Sequence, residues 1–459
     1  MTTSRVARCT FIPLWLVERV DGPERAARDD ELRRERALRG RAPRPTPPSA
    51  EGVVAAPDWT VHDAESRTTL PGTPARSAGE PETGDVAVDE AATGIEATLQ
   101  MFLDDLARDS YDGAGAPVSL TVHYGSRYNN AFWDGTQLVF GDGDGRVFER
   151  FTKPVDVLAH EFSHAFVEHT ADLTYRGQSG ALNESVADAF ASCLKQRLLG
   201  QDAGKGDWLI GQGIFMPSIQ ARALRDMAAP GTAYDDPEIC ADPQVGHMDD
   251  FVETTADNGG VHLNSGIPNK AFQLASVAIG GTSISGAGRV WYDALVGGDV
   301  PSGATFATFA AATVAAAGDH ADAVQDAWAQ VGVEIDAAAG ETDQEPPQSP
   351  GSSQPPSPQP GGRLRVERSG GFVGRTETAE VDLGQVDDPG LGQLVTEAVL
   401  ASATSDGPPR PDMFVYTFTV DDGDPVRVPE HLLTASQAEL ARRILRPDPA
   451  TGSTSGWEA

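Results

Sequence analysis

The stretch that decides the fold runs from residue 156 to residue 173 and reads DVLAHEFSHAFVEHTADL. Its apolar residues recur three or four positions apart, which predicts a helix with one apolar face. Residues four positions apart share a face of a helix, so His160 and His164 can offer two imidazoles to one metal ion. Glu161 can reach a water beside that metal without binding the metal itself. The pattern indicates a hydrolytic zinc site, although five-residue patterns also occur by chance.

Two later segments support the zinc interpretation. A second predicted helix opens near Gly180, and its Glu184 can be the third protein ligand, which leaves one position of a tetrahedral zinc open. Asp188 lies one turn further on and can hold the second ring nitrogen of a histidine ligand. Much later, residues 257–266 read DNGGVHLNSG and place His262 in what we expect to be a Gly-rich loop.

Together these segments resemble the thermolysin family of zinc metalloendopeptidases. The similarity covers about residues 65–335 and includes YNNAFWDG at 128–135 and GDGDG at 141–145. It implies an α+β fold with a two-lobed catalytic unit. The N-terminal lobe, 57–150, would be rich in strands, and the C-terminal lobe, 151–340, would be all helical. The implied activity is hydrolysis of internal peptide bonds in protein or peptide substrates.

The resemblance also implies a role for each polar residue of the site. One Zn²⁺ would be bound by His160, His164 and Glu184, and Glu161 would be the general base. His262 and Tyr175 would donate to the oxyanion that forms during attack, while Asp257 orients the His262 ring. Asn183 and Asp188 are expected to support the metal ligands from behind.

Substrate would be bound by a strand end and by an apolar pocket. Asn130 and Ala131 would hold the substrate backbone in extended form, as in strand addition, and Arg225 would bind a substrate carbonyl. The alternatives are an ordinary turn at Asn129-Asn130 and a surface arginine at position 225. The expected lining residues of the pocket are Phe148, Phe151, Val157, Ile210 and Leu224. All five are apolar, which predicts a preference for a bulky hydrophobic residue directly after the cut bond.

A double calcium site, a feature of thermolysin itself, is doubtful in this chain. Asp156 and Asp207 match two of its ligand positions. The other matching positions hold Lys195, Leu209 and Gln212. An ammonium cannot ligate calcium and would repel it, so we expect no calcium pair there.

The N-terminal segment, residues 1–56, differs from the rest of the chain. Its CTFIPLWL stretch, residues 9–16, resembles the start of the short propeptide of the protealysin subgroup, although Leu14 replaces a proline usual there. By this resemblance residues 1–56 comprise a propeptide and a processing linker, and the propeptide blocks the active site. The alternative is a solvated arm. We find no recognisable signal peptide, so export would follow a non-standard route or the protein would be cytoplasmic, and we favour secretion.

The C-terminal part reads as a separate small domain. Residues 341–361 are rich in Pro, Ser and Gln and predict a linker, followed by an α+β domain over 362–447 and a tail over 448–459. The segment GRLRVERSGGFVG at 362–374 resembles the opening of emfourin, a proteinaceous inhibitor of protealysin-like enzymes. We therefore expect an intramolecular inhibitor whose turn at 369–372 contacts the catalytic unit. The alternative is an accessory substrate-binding module.

Composition narrows the possible partners. The chain has 459 residues with a net charge of −33, which argues against nucleic acid and anionic membranes as partners. Three cysteines do not make a disulfide framework.

We expect the protein to be a monomer. Two other functions stay open on the sequence: an inactive peptide-binding scaffold, and an inhibitor of related peptidases that is fused to a peptidase domain.

Overall fold

The computed structural model describes three parts of the chain. These are residues 10–22, residues 58–335, and segments of the C-terminal part at 363–370, 377–382, 414–420, 426–429, 440–441 and 444. The chain divides into two compact units, Met1–Gln344 and Glu345–Ala459. Each unit is described by itself below.

The N-terminal lobe of the first unit is built on a mixed five-stranded sheet in the order β2-β1-β3-β5-β4. The strands are β1 (Trp59–Asp63), β2 (Thr73–Ser77), β3 (Val118–Val122), β4 (Ala131–Trp133) and β5 (Leu138–Phe140). β3 pairs in parallel with β1 and β5, whereas β2 and β4 pair antiparallel at the two edges. As an edge strand, β4 keeps one row of backbone groups available to another extended chain.

The long helix α2 (Val86–Leu106) contacts β1, β2 and β3 of this sheet. Its start is fixed by Asp85, whose carboxylate accepts the backbone N–H groups of Ala87 and Val88. Gly94 allows α2 to approach the next helix closely, since a Cβ at this position would lie 3.0 Å from the Leu158 side chain.

Two buried helices carry the zinc motif. They are α3 (Val155–Glu168) and α4 (Gly177–Leu199), which pack against each other. α4 ends at Gly200, whose φ of 61° suits glycine. α3 also contacts α2, β4 and β5, so it lies between the sheet and the helical lobe.

The remaining helices complete the C-terminal lobe. They are α5 (Asp257–Asn264), α6 (Gly266–Ile279), α7 (Arg289–Val296), α8 (Phe306–Ala316) and α9 (Ala321–Gln330). Four short strands form two-stranded ribbons between α4 and α5: β6 (Leu209–Ile210) with β7 (Arg225–Asp226), and β8 (Asp235–Asp236) with β9 (Cys240–Ala241). Trp291 and Trp328 stack in the core with ring centroids 5.9 Å apart. None of the helices in the described part of the chain is long and apolar enough to span a bilayer.

Residues 10–22 form a short segment that is packed into this core. Its helix α1 (Leu14–Asp21) begins after Pro13, which suits a helix start because proline lacks the N–H. Phe11, Ile12 and Leu16 are fully buried. The helix itself was not predicted from the sequence of this segment.

The second unit contains an antiparallel four-stranded sheet in the order β11-β10-β12-β13. The strands are β10 (Arg363–Gly370), β11 (Glu377–Asp382), β12 (Phe414–Val420) and β13 (Val426–Pro429). Leu364 and Val366, two positions apart on β10, are buried with Phe418 of β12, which gives this sheet one apolar face. The sequence also predicts a helix over 391–401 in this unit, and these residues lie outside the described ones. So does the turn at 369–372, apart from its first two residues.

The α+β class and the two lobes agree with the sequence prediction, although the mainly helical C-terminal lobe also contains the short strands β6 to β9. The aromatic and β-branched residues of 146–151 predict a further strand, but the structure contains none there. The Asp144 carboxylate there accepts the backbone N–H groups of Arg146, Val147 and Phe148, which curls the chain into a turn. Only Phe148 makes an isolated bridge, to Phe215.

Candidate active site

The three predicted metal ligands converge in the structure. His160 and His164 lie on α3 with their Nε2 atoms 2.9 Å apart, and Glu184 lies on α4. One Glu184 oxygen is 3.5 Å from the Nε2 of His160, and the other is 3.8 Å from the Nε2 of His164. All three residues are buried. Two imidazoles and a carboxylate are the donor set of a catalytic zinc site, so these residues fit the metal that the sequence predicts.

The second ring nitrogen of each histidine is fixed from behind. The Nδ1 atom of His160 lies 2.8 Å from an Asp188 oxygen, and that of His164 lies 2.8 Å from the Asn183 carbonyl oxygen. A neutral histidine that donates from Nδ1 keeps a lone pair on Nε2. Asp188 and Asn183 therefore aim both Nε2 atoms towards Glu184.

The ligands differ sharply in their affinity for protons. Burial lowers the pKa of His160, but the acceptors Asp188 and Glu184 outweigh it and raise the pKa to about 9. Burial and the charge of His160 lower the pKa of His164 to about 4. Burial opposes the ionised form of Glu184, yet His262 and both ligand histidines hold its pKa well below the usual value. The third ligand is thus an anion, which favours binding of a divalent cation.

Glu161 has the environment of a general base. It is fully buried, and among the described residues neither of its carboxylate oxygens has a hydrogen-bond partner. Burial raises the pKa of Glu161 to about 7, and this outweighs the charge of His160. A carboxylate with a pKa near neutrality can both accept and return a proton at pH 7.

His262 faces the metal ligands from the opposite wall. Its Nδ1 lies 2.6 Å from Asp257, which also accepts the His262 backbone N–H at 2.8 Å. The intervening Asn258, Gly259 and Gly260 all have positive φ. This left-handed turn brings Asp257 back onto the histidine. Our expectation of a loop here is wrong, because His262 lies on the helical turn of α5 that follows.

Tyr175 completes the same wall. Its hydroxyl hydrogen-bonds Glu184 and lies 3.4 Å from the Nε2 of His262. Two donor groups are therefore aimed at the space beside the metal ligands. This is where the sequence analysis expects an oxyanion to form.

Arg225 is held rigidly by the residue that orients His160. Its Nε and Nη2 atoms donate to the two Asp188 oxygens at 2.7 Å each, a bidentate pair buried in the core. The Asn269 side chain donates a further hydrogen bond of 2.8 Å to Asp188. Asn269 could not be predicted as part of the site, because nothing in its local sequence marks a partner 81 positions away.

Residues 10–12 occupy the cleft between these groups. The Phe11 N–H donates to the Ala131 carbonyl at 3.0 Å, and Arg225 donates to the Phe11 carbonyl at 3.3 Å. The Asn130 side chain accepts the Ile12 N–H at 2.8 Å and donates to the Ile12 carbonyl at 3.2 Å. His262 Nε2 lies 3.0 Å from the Thr10 carbonyl oxygen. The polar groups predicted to bind substrate thus bind this segment.

The Phe11 ring fills an apolar site beside His160, with ring centroids 5.1 Å apart. The five predicted pocket residues are all buried in the same hydrophobic cluster as Phe11: Phe148, Phe151, Val157, Ile210 and Leu224. Gly211, which no local pattern in the sequence marks, leaves room in this site because it has no side chain. A Cβ there would lie 3.2 Å from both Leu224 and the Phe11 ring.

The ammonium group of Lys195 lies at the position that matches a calcium ligand of thermolysin. Lys195 on α4 donates to both oxygens of Asp207 at 2.9 Å and to the Leu209 carbonyl at 3.1 Å. The neighbouring Asp156 is fully buried and accepts the Gly211 N–H. Burial raises the pKa of Asp156 to about 6, against the charge of Lys195.

Comparison with known proteins agrees with this geometry. Residues 60–168 match the family described as thermolysin metallopeptidase, catalytic domain, and residues 171–333 match its alpha-helical domain. An extracellular metalloprotease of Pectobacterium carotovorum is 45% identical over 337 residues, which are 71% of this chain and 97% of that protein. The chain belongs to the thermolysin family of metallopeptidases. Its C-terminal residues 366–445 match the Emfourin family.

Two other proteins are also similar to this chain. Protease PrtS of a Photorhabdus strain is 46% identical across 60% of this chain and 76% of its own length. The solved structure of the precursor of protealysin, a metalloproteinase from Serratia proteamaculans, is similar with a TM-score of 0.63 and 44% identity. The similarity covers 71% of this chain and the whole of the protealysin precursor chain. A thermolysin-family chain with these ligands is a zinc metalloendopeptidase.

Proposed function

We propose that this thermolysin-family enzyme is a zinc endopeptidase made as a latent precursor. In this proposal residues 1–56 are a propeptide with its processing linker, and their Thr10–Leu16 stretch closes the cleft. One observation carries the proposal: the backbone groups of residues 10–12 bind Ala131, Asn130, Arg225 and His262. A peptide substrate needs the same groups, so the segment and a substrate exclude each other.

Catalysis is then divided among the residues described above. His160, His164 and Glu184 would hold the zinc, which when bound supplies a Lewis acid for a substrate carbonyl and for water. Glu161 takes a proton from the attacking water and returns it to the leaving nitrogen. His262 and Tyr175 donate to the developing oxyanion. Asp257 holds the His262 ring in the orientation that this requires.

Residues in the walls of the cleft would position the substrate. Asn130 and Ala131 align the substrate backbone along edge strand β4, and Arg225 binds the carbonyl of the residue after the cut bond. That residue's side chain would enter the site now filled by Phe11, which favours bulky hydrophobic residues there. The proposed substrates are proteins and peptides that can adopt an extended form.

The emfourin domain is proposed as a second intramolecular inhibitor. Residues 341–361 form a connection of about twenty residues, whose root-mean-square reach is ~25 Å if flexible. Such a tether gives an effective concentration of roughly millimolar, so even weak inhibition would be effective until the connection is cut. We further propose domain boundaries. The two catalytic lobes would span residues 57–150 and 151–340, and the emfourin domain would span residues 362–447.

Export and assembly complete the proposal. A similar protein is named an extracellular metalloprotease, which supports secretion of this enzyme. We propose that it acts as a monomer, since a single chain supplies every residue of the site described above.

Latency can be tested by loosening helix α1 without touching the catalytic residues. Leu16→Asp places a charge at a fully buried position of α1 and should raise hydrolysis of casein by uncut, zinc-loaded protein. Glu18→Gln, at an exposed position of the same helix, is the matched control and should stay latent. Equal activity of the two uncut proteins would contradict latency. If matured wild type had no chelator-sensitive activity, it would be an inactive scaffold.

A further inference from the structure

The segment in the cleft lies in the register and direction of a substrate. Its Phe11 side chain fills the apolar site proposed for the residue after a cut bond, and the Phe11 carbonyl accepts from Arg225. The carbonyl that precedes this residue belongs to Thr10. That carbonyl oxygen is the one that meets Nε2 of His262 at 3.0 Å, the donor proposed for the oxyanion.

Three hydrogen bonds to two residues fix this register. The Phe11 N–H pairs with Ala131 of β4, and both backbone groups of Ile12 pair with the Asn130 side chain. A slip by one residue would break these bonds and remove the Phe11 ring from its site. Thr10 is itself fully buried, so its carbonyl is held inside the cleft.

We propose that the enzyme hydrolyses its own Thr10–Phe11 bond while the segment is bound. This inference rests on the proposed function. The oxygen of a water molecule bonds to the Thr10 carbonyl carbon, and the bond from that carbon to the Phe11 nitrogen breaks. The nitrogen leaves with the electron pair and takes both protons of the water, the first carried by Glu161 and the second released from the new carboxyl group. The products are a Thr10 carboxylate and a Phe11 ammonium group.

This cut alone does not open the cleft. The contacts of Phe11 and Ile12 with β4 and Arg225 all lie on the side of the bond that stays attached to α1. α1 is held in turn by Arg19, which donates to the Pro237 and Glu238 carbonyls at 3.2 and 3.1 Å. The cut chain is therefore an enzyme–product complex, and it stays latent until a later cut near residues 41–57 releases the whole segment.

The test follows the full-length chain by mass spectrometry in zinc-containing buffer made with heavy-oxygen water. Wild type should yield a fragment that ends at Thr10 with one heavy oxygen in its new carboxylate, and a partner that begins at Phe11. The yield per chain should not change on tenfold dilution, because the step is intramolecular. Glu161→Gln should yield neither fragment, and Phe11→Ser should lower the yield at least about tenfold. Val20→Ala, on the same segment but outside the cleft, should match wild type.

A second measurement reads the register without hydrolysis. In the Glu161→Gln chain the amides of Phe11 and Ile12 should exchange slowly with deuterated water. Adding Phe11→Ser should remove that protection, whereas adding Val20→Ala should not. If matured enzyme digests casein while no fragment ending at Thr10 forms, this inference is overturned and the proposed function stands. If matured enzyme digests nothing, both fail.

Discussion

Replacing Asp188 by alanine should damage both the fold and the metal site, because this one carboxylate serves four donors. It accepts two hydrogen bonds from Arg225, one from His160 and one from Asn269, all of 2.7 to 2.8 Å. These charges hold the pKa of Asp188 at about 2 despite its complete burial. Removing one partner of a buried ion pair costs about 3–5 kcal/mol. Losing the partner behind a histidine ligand lowers metal affinity by roughly 10–100-fold.

Two assays separate these effects. Urea unfolding of the metal-free protein reads the free energy of unfolding, and competition with a chromogenic chelator reads zinc affinity. Asp188→Asn, which keeps the shape and loses the charge, should fall between wild type and Asp188→Ala in both. Asn269→Ala removes a single neutral donor and should cost about 1 kcal/mol with little change in zinc affinity. If Asp188→Ala unfolds within about 1 kcal/mol of wild type and binds zinc equally well, the orienting role is refuted.

Three further predictions concern separate parts of the molecule. Glu161→Gln should keep its zinc, measured by metal analysis, but lose activity by ~10²–10⁴ or more; retention of a tenth of the activity would exclude the general-base role. His123 lies between Asp85 and Asp142, and its hydrogen bond to Asp142 outweighs burial and raises its pKa to about 9. Its stabilising contribution should be complete below pH 6.5 and lost as the pH rises through 9. His123→Asn should therefore unfold at lower urea than wild type at pH 6 and match it at pH 10. A chain ending at residue 345, matured, should digest a protein substrate faster than a full-length chain whose 341–361 connection resists cleavage; equal rates would exclude inhibition by the emfourin domain.

The local part of the site could be predicted from sequence because its geometry follows from helical spacing. Residues four positions apart on a helix share a face, so the spacing alone places His160 and His164 side by side. Glu184 was predicted from its position near the start of the second helix, α4. The resemblance to a family then supplied His262 and Tyr175. The structure brings these five residues together.

What the sequence did not predict depends on contacts between distant residues. Asn269 and Gly211 act through partners that only the folded chain brings near, so no local pattern marks them. The turn at 146–151 has the aromatic and β-branched residues typical of a strand, but the Asp144 carboxylate competes for its backbone N–H groups. The Thr10–Phe11 bond takes the position of a substrate bond because edge strand β4 and Arg225, which are far apart in the sequence, both hydrogen-bond to Phe11.

The contact of Lys195 with Asp207 and the Leu209 carbonyl affects how this enzyme responds to chelators. A bound ion is governed by mass action, so its occupancy falls when the free ion is removed. The Lys195 ammonium is covalently part of α4, and no dilution or sequestering agent can withdraw it from Asp207 and Leu209. A chelator would therefore strip the catalytic metal while this brace between α4 and β6 persists. Such an inactivation would leave an intact apoenzyme, and adding back zinc alone would restore it.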